Sequence, residues 1–234
     1  MKEDAAMSLH LLGIARHDVA VSGPLEVPPE LRRHGVCWVA QEDVAAAVMP
    51  SSRSPLAPLA HAKLLEAIHC RMDVLPVRYG VEMPDKRAVR DLLRQRRSEL
   101  LGSLKRLEGT GEIGLRIELA ADEEPLCVAA AATTSASTPM SPLRYLASRR
   151  RQYERNDRWE STARRVADHY LQALDDLADD CRRLGSRQPG IVRLAFLVER
   201  SRWAAFRRRA ELLIRRSADH ACTLLGPWPP YSFV

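Results

Sequence analysis

Residues 85–119 read DKRAVRDLLRQRRSELLGSLKRLEGTGEIGLRIEL, and inside this stretch the spacing of apolar residues changes from a helical to an alternating pattern. The earlier part predicts an amphipathic helix from Asp85 to Leu107. Gly109 and Gly111 end that helix, and the alternation from Ile113 to Leu119 predicts a strand with one buried face. A helix that passes directly into a strand indicates helices packed on a sheet.

Toward the N terminus, similar patterns continue. Two apolar runs, Leu9–Ala15 and Gly35–Ala40, predict buried strands, and a loop with proline and glycine separates them from Ser22 to Pro29. Helical spacing predicts a helix over residues 56–72, which a short strand follows over residues 73–80. The order β-β-α-β-α-β therefore predicts a small layered α+β domain.

A low-complexity segment separates this domain from the rest of the chain. Residues 129–139 read AAAATTSASTP and carry no charge, which is typical of a linker. The sequence thus predicts a first domain over 1–120, a linker over 121–140 and a second domain over 141–234.

The second domain begins with a cap and proline at Ser141 and Pro142, from which a helix is predicted to continue to Leu184 with a break near Asn156. A strand is predicted over Ile191–Val198 and a helix over Ser201–His220. A last strand is predicted over residues 221–225, after which the proline-rich tail leaves the sheet.

Composition limits the class of protein. With 46% apolar residues in 234, the chain has enough apolar material for a core, and 36 basic against 30 acidic residues give a net charge of only +6. Five scattered cysteines without a CxxC pair predict neither a disulfide framework nor a structural zinc site. No leader-like or membrane-length apolar run occurs, so we expect a soluble cytoplasmic protein.

The chain offers no residue set that predicts catalysis, a cofactor or a metal. Asp175, Asp176, Asp179 and Asp180 have the spacing of a shared helix face, but the arginines that follow favour a solvated charged surface. His61 and His69 form no metal or Cys/His pattern with Cys70. The glycine-rich residues 109–114 precede a strand, whereas a phosphate loop opens a helix.

Nucleic-acid binding is the alternative function. Residues 149–151 and 207–209 are each three consecutive arginines, which can contact phosphates. An RNA-binding sheet also needs exposed aromatic residues in a recognisable pattern, and Trp38, Tyr79 and Phe196 do not supply one. A basic nucleic-acid-binding module is therefore the less favoured interpretation.

Two motifs stand out from this background. The first is a short strand in which proline predicts an edge position; its residues are Leu75, Pro76, Val77, Arg78, Tyr79 and Gly80. The second is the charge-free tail, whose residues are Gly226, Pro227, Trp228, Pro229, Pro230, Tyr231, Ser232 and Phe233, followed by Val234. A tail with three prolines and three aromatics either docks on its own chain or contacts a partner. Both motifs are candidates for partner binding.

On these motifs the sequence resembles the gas vesicle protein F/L family (GvpF/GvpL). The family's LPVRFG-like strand, AAFLV-like strand and GPWPPYSF tail are similar to LPVRYG at 75–80, LAFLVER at 194–200 and GPWPPYSFV at 226–234. The order and spacing agree over most of the chain. Departures are Tyr79 in place of phenylalanine, a looser first strand, and residues 180–184, where the family has a strand and spacing alone extends the helix.

The resemblance implies two α+β domains, the first ferredoxin-like and the second a modified ferredoxin-like domain that the tail completes. It also implies a non-enzymatic accessory or minor structural protein of gas vesicle formation. The implied partners are the small hydrophobic shell protein and other gas vesicle accessory proteins, with no cofactor, nucleic acid or membrane. Its implied location is the cytoplasm, in association with gas vesicles.

Overall fold

The computed structural model describes residues 8–17, 27–51, 57–119, 142–186, 188, 190–217 and 219–234. The predicted linker at 121–140 lies outside these residues. The strands are β1 (Leu9–Arg16), β2 (Cys37–Gln41), β3 (Val44–Pro50), β4 (Leu75–Pro76), β5 (Glu82–Met83), β6 (Thr110–Leu119), β7 (Asp180–Leu184), β8 (Ile191–Glu199) and β9 (His220–Trp228). The α-helices are α1 (Pro29–Arg32), α2 (Pro58–His69), α3 (Lys86–Gln95), α4 (Arg97–Arg106), α5 (Pro142–Leu174) and α6 (Trp203–Arg216). The described residues also form two short 3-10 helices, Asp175–Leu177 and Arg200–Arg202.

The chain divides into two compact units. The first contains residues 1–113, 196–203 and 226–234, and the second contains 114–195 and 204–225. The division falls inside β6, β8 and β9, and the tail belongs to the first unit. This grouping differs from the sequence-based boundaries, which assigned residues 226–234 to the second domain.

The first sheet is antiparallel and has the order β2-β3-β1-β4, with β5 also paired to β1. Its central strand β1 is buried from Leu9 to Ala15, because every residue in that range except His10 is non-polar and the strand has neighbours on both sides. Val44–Val48 of β3 is fully buried beside it. The core of the first unit therefore lies on β1 and β3.

The sequence patterns missed β3. Alanines fill three of its seven positions, and alanine has a low preference for strands. A two-residue turn, Glu42-Asp43, joins it to β2, with Glu42 at φ +54°. Arg97 binds both carboxylates of that turn, with its Nε 2.9 Å from Glu42 Oε2 and 2.8 Å from Asp43 Oδ1. The contact with α4 thus supports a turn that lacks the usual Asn-Gly or Asp-Gly sequence.

Several helix predictions need correction. The predicted helix at 85–107 is two helices, because the backbone departs from helical geometry at Arg96 (φ −103°, ψ 12°). The predicted break near Asn156 is wrong, since α5 is a single helix to Leu174. Residues 180–184 form a strand, as the resemblance implied, so the helix does not reach Leu184. The helix predicted over 201–220 is shorter and ends at Arg216.

The second sheet has the order β7-β8-β6-β9. Its inner strand β8 is buried from Leu194 to Val198, as its apolar sequence predicted. The last strand extends to Trp228, so the first three tail residues remain in the sheet, contrary to the expectation that the tail leaves it after Leu225. No helix in the described ranges combines the length and apolar character needed to span a membrane.

Candidate functional site

The motif at 75–80 forms a bulged edge of the first sheet. Gly13 of β1 faces Pro76, and His10 faces Glu82, so β1 advances three residues while the edge strand advances six. Three extra residues therefore protrude from the edge. Backbone hydrogen bonds close the loop at both ends, since Val77 N–H donates to Leu12 O (3.0 Å) and Leu11 N–H donates to Val81 O (3.0 Å). The edge position predicted from Pro76 is confirmed.

The bulge separates the motif into a buried and an exposed half. Leu75 and Pro76 are buried, whereas Arg78, Tyr79 and Gly80 are exposed, Tyr79 to 44%. Gly80 has φ +87°, a conformation that favours glycine. We call the exposed residues 78–80 the edge bulge.

His61 of α2 contacts the edge bulge and the residue that precedes it. Its ring packs edge-on against Tyr79 with centroids 5.8 Å apart, and its Nε2 lies 3.0 Å from Val77 O. Burial lowers the pKa of His61, although the hydrogen bond to Val77 opposes that change. A neutral imidazole that donates its Nε2–H to Val77 O fits both the pKa and the distance.

The tail docks on the first unit through polar contacts. Glu112 of β6, itself only 6% exposed, accepts hydrogen bonds from Ser232 N–H (2.7 Å) and Ser232 Oγ–H (2.8 Å). Arg106 of α4 donates to Phe233 O at 2.7 Å. Both contacts involve a charged group, so they are stronger than neutral hydrogen bonds.

The docked segment begins at Gly226, where the backbone of the tail lies close to the backbone of Glu112. A Cβ at this position would lie 2.6 Å from Glu112 O, and its φ of +96° also favours glycine. Only glycine meets both conditions, which explains the first residue of the tail motif.

The docked tail has a buried and an exposed side. Pro229, Pro230 and Phe233 are buried, Phe233 to 1% exposure, while Trp228 and Tyr231 remain 37% and 39% exposed. Burial, Glu112 and Glu66 together raise the pKa of Tyr231 to about 12. The tail thus docks on its own unit and leaves the side chains of Trp228 and Tyr231 partly exposed.

The last residue of the motif at 194–200, Arg200, forms hydrogen bonds within the first unit. Arg200 Nη2 donates to Asp73 Oδ1 (3.0 Å) and to His69 O (2.9 Å), and Asp73 Oδ2 accepts from Gly109 N–H (3.0 Å). The Arg200 guanidinium lies 5.9 Å from the Trp203 ring centroid. Burial, reinforced by Arg200, lowers the pKa of His69 to about 4. This network holds the end of β8 against the segment after α2.

The second unit contains a buried hydrogen-bond centre at Tyr170. Its hydroxyl lies 2.9 Å from Ser217 Oγ, 3.0 Å from His220 Nε2 and 3.3 Å from Cys222 Sγ. Burial raises the pKa of Tyr170 to about 12 and also raises the pKa of Cys222. These hydrogen bonds join α5 to β9, and the direction of the Cys222 shift is opposite to that of a reactive thiolate.

The acidic run after α5 does not share one helix face. Asp175 and Asp176 lie in a 3-10 turn, and Asp180 begins β7. Asp176 pairs with Arg209 at 3.3 Å, and Asp180 pairs with Arg182 at 3.4 Å. Within the described residues, no group of three or more His, Cys, Asp or Glu side chains has a metal-binding arrangement.

These features define a mixed helix-and-strand protein with two sheets, in which the C-terminal residues close the first unit. The chain belongs to the gas vesicle synthesis protein GvpL/GvpF family, whose model matches residues 9–234. The predicted family membership is therefore confirmed.

Solved structures show the same fold. Gas vesicle protein GvpF from Anabaena sp. PCC7120 matches with a TM-score of 0.73 and 16% identity, over 97% of this chain and 95% of that chain. GvpF from Microcystis aeruginosa matches with a TM-score of 0.70 and 14% identity, over 97% and 98% of the two chains. No curated protein sequence matches the chain.

Sequence reasoning found the motifs but not the residues that hold them. Glu112, Arg106, Asp73 and Arg200 were not singled out individually, because each lies far along the chain from its partner. The sequence pattern placed the start of β6 at Ile113 and Glu112 in the preceding turn, whereas β6 begins at Thr110 and buries the Glu112 carboxylate, which therefore needs hydrogen-bond donors.

Proposed function

We propose that this protein is a non-enzymatic accessory or minor structural component of gas vesicle formation. In this role it binds the small hydrophobic shell protein and keeps it from aggregating before assembly. The membership in the GvpL/GvpF family supports a role in gas vesicle synthesis. A free shell subunit exposes apolar surface and strand edges, so it needs a partner that covers them.

The edge bulge is the observation that carries the proposal. It presents Arg78 and Tyr79 from the edge of the first sheet, where three extra residues interrupt the ladder. Such an interruption prevents continuous strand addition at this edge. The shell protein is therefore bound there by side chains, with the tyrosine ring as an apolar anchor and the arginine as a polar contact.

The exposed side of the tail provides the second part of the proposed contact. Trp228 and Tyr231 combine a large apolar surface with a polar tip, as residues at protein interfaces commonly do. The buried side of the tail holds them in place. In this proposal the tail motif contributes indirectly through docking and directly through these two rings.

We further propose that both units are variants of the ferredoxin-like fold. The boundaries 1–120, 121–140 and 141–234 then describe chain order, while the tail returns to the first unit. We propose the cytoplasm, on or near growing gas vesicles, as the site of action.

A co-expression experiment tests the proposed function. The tagged protein is produced with a gas vesicle shell protein, treated with nuclease and captured, and the amount of co-purified shell protein is measured. We expect capture by the wild type and at least a tenfold loss for the double variant R78E/Y79S. The control is Arg87→Glu, which changes an exposed arginine on α3.

A second pair of variants tests the tail's exposed side. Trp228→Ser and Tyr231→Ser should reduce capture at a temperature at which circular dichroism shows both variants to be folded. Full capture by both tail variants and by R78E/Y79S would contradict the proposed contact. Capture that depends on nucleic acid would instead favour the nucleic-acid alternative.

A further inference from the structure

We propose that the exposed face of α2 is a self-association surface, against which a second copy of this chain packs its own α2 in the antiparallel direction. The face consists of the exposed residues Leu59, Ala62, Lys63, Glu66 and, directly after the helix, Cys70. Because they are spaced three or four positions apart, these residues share one side of the helix. The inference goes beyond the proposed function and does not depend on it, since it concerns two copies of this chain without a shell protein.

The buried face of α2 fixes the direction in which the exposed face points. The buried residues are His61, Leu64, Leu65, Ile68 and His69. The helix cannot rotate to cover Leu59 without exposing that set to water. Leu59 is 67% exposed, which is the largest value among the large apolar side chains of the described residues. A single exposed leucine is common, so the charges beside it decide whether the face has a partner.

Lys63 and Glu66 make this face complementary to itself. They lie three positions apart on the same side of α2, and neither forms a salt bridge within the part of the chain that the structure describes. A two-fold axis that passes midway between them, perpendicular to the helix, reverses the direction of the second copy. It places Lys63 of each copy opposite Glu66 of the other, as a closed two-fold interface requires. Two intermolecular ion pairs therefore select this antiparallel arrangement.

The same axis also gives Leu59 a contact. The midpoint between Lys63 and Glu66 is also the midpoint between Leu59 and Cys70, so the axis places Leu59 opposite Cys70 of the second copy. Cys70 continues the helical backbone, with φ −61° and ψ −17°. The small side chain of Ala62 lets the two helices approach each other closely. Each exposed leucine is thus covered at one end of the interface.

Two aromatic side chains that border α2 enlarge the surface. The Tyr79 ring packs edge-on against His61, with the ring centroids 5.8 Å apart. Further along the helix, Glu66 contributes to the raised pKa of Tyr231, so the tail ring lies within electrostatic range of the exposed face. Both rings are exposed. They add apolar area to a contact that one short helix alone would leave small.

Charge reversal tests the proposed pairing. Sedimentation equilibrium of the purified full chain should show a reversible equilibrium between monomer and dimer. Lys63→Glu and Glu66→Lys, made separately, each turn two ion pairs into two like-charge contacts and should weaken the dimer at least tenfold. A mixture of these two variants restores opposite charges and should form a heterodimer about as stable as the wild-type dimer. Arg90→Glu, on the exposed side of α3, is the matched control and should leave the dimer unchanged.

A cysteine introduced at position 59 tests the register. Leu59→Cys places a thiol opposite Cys70 of the second copy, where the Cα atoms can reach the separation of about 4.4–6.8 Å that a disulfide needs. The two Cys70 residues themselves are about 16 Å apart along the helices, from a rise of 1.5 Å per residue. On mild oxidation we expect a covalent dimer of Leu59→Cys, with the link to Cys70 identified by mass spectrometry. The variants L59C/C70S and Arg90→Cys should not form it.

Three outcomes would overturn the proposal. The first is a wild-type chain that remains monomeric up to its solubility limit. The second is a dimer that Lys63→Glu and Glu66→Lys leave unchanged while circular dichroism shows both variants to be folded. The third is oxidised Leu59→Cys without a link to Cys70. Because none of these samples contains a shell protein, their failure leaves the proposed function standing, and a failed capture of shell protein leaves the dimer standing.

Discussion

The motif at 75–80 and the tail both lie in the first unit, and they use their residues in opposite ways. The tail buries Phe233 and ties Ser232 to Glu112, so most of its motif is satisfied inside the protein. The motif at 75–80 buries Leu75 and Pro76 and presents the edge bulge, residues 78–80, to solvent. A motif recognised in the sequence can therefore stabilise the fold or form an exposed surface. The solvent exposure of its side chains distinguishes these two cases.

The largest expected effect concerns the buried side of the tail. Phe233→Ala removes a ring that is 1% exposed, and the transfer and cavity costs should lower the free energy of unfolding by about 3–5 kcal/mol. Urea unfolding followed by near-UV circular dichroism measures the change. Val234→Ala is the control, because that side chain is 59% exposed and its loss should cost little. Equal effects of the two substitutions would contradict the docked tail.

Gly80 and Gly226 both have positive φ, and they provide a matched comparison of the motif at 75–80 with the tail. Gly226→Ala should cost about 2–3 kcal/mol, because the new Cβ would meet Glu112 O at 2.6 Å in addition to the strained φ. Gly80→Ala should cost only about 1 kcal/mol, since nothing lies within 4 Å of its Cβ position. Thermal unfolding of the two variants measures which substitution costs more stability. A larger loss of stability for Gly80→Ala would contradict the assignment of the tail as the motif that stabilises the fold.

Acidification should affect the edge bulge through His61. Because burial lowers the pKa of His61 in the folded protein, the unfolded state binds more protons below the ordinary value of about 6.5. Stability should therefore fall as the pH drops below that value, with a contribution under about 1.4 kcal/mol per pH unit from this single group.

The variant His61→Gln isolates that contribution. Urea midpoints at pH 7.5, 6.5 and 5.5 should fall less steeply for His61→Gln than for the wild type. Buried His69, with its pKa of about 4, contributes to both proteins and cancels in the difference. Identical pH profiles would show that His61 is not the neutral support of the bulge.

The smallest stability effect is expected at Arg78. Its side chain is exposed, so Arg78→Ala should change the free energy of unfolding by less than about 0.5 kcal/mol. Differential scanning fluorimetry checks this against Arg106→Ala, which removes the hydrogen bond to Phe233 O and should cost about 1–2 kcal/mol. A destabilised Arg78→Ala would mean that the arginine has a structural role.

The sequence predicted elements whose patterns are local. The buried runs of β1 and β8 and the apolar stripe of α2 were recognised because burial on one or both faces leaves a periodic signal. Strand β3 reads VAAAVMP, a continuous run without alternation whose alanines have a low strand preference, so periodicity did not reveal it. Residues 180–184 were ambiguous for the same reason, since a charged sequence becomes a strand only beside β8.

The sequence by itself determined the family, the mixture of helices and sheet strands, and the two motifs, because these depend on residue types and spacing along the chain. The tertiary structure alone decided that the tail returns to the first unit and that Glu112 and Arg106 hold it there. It also decided that the edge bulge is exposed and packs against His61. The physical reason is that each of these contacts joins residues distant in the chain. A hydrogen bond between Ser232 and Glu112 spans 120 positions, and no local propensity encodes it.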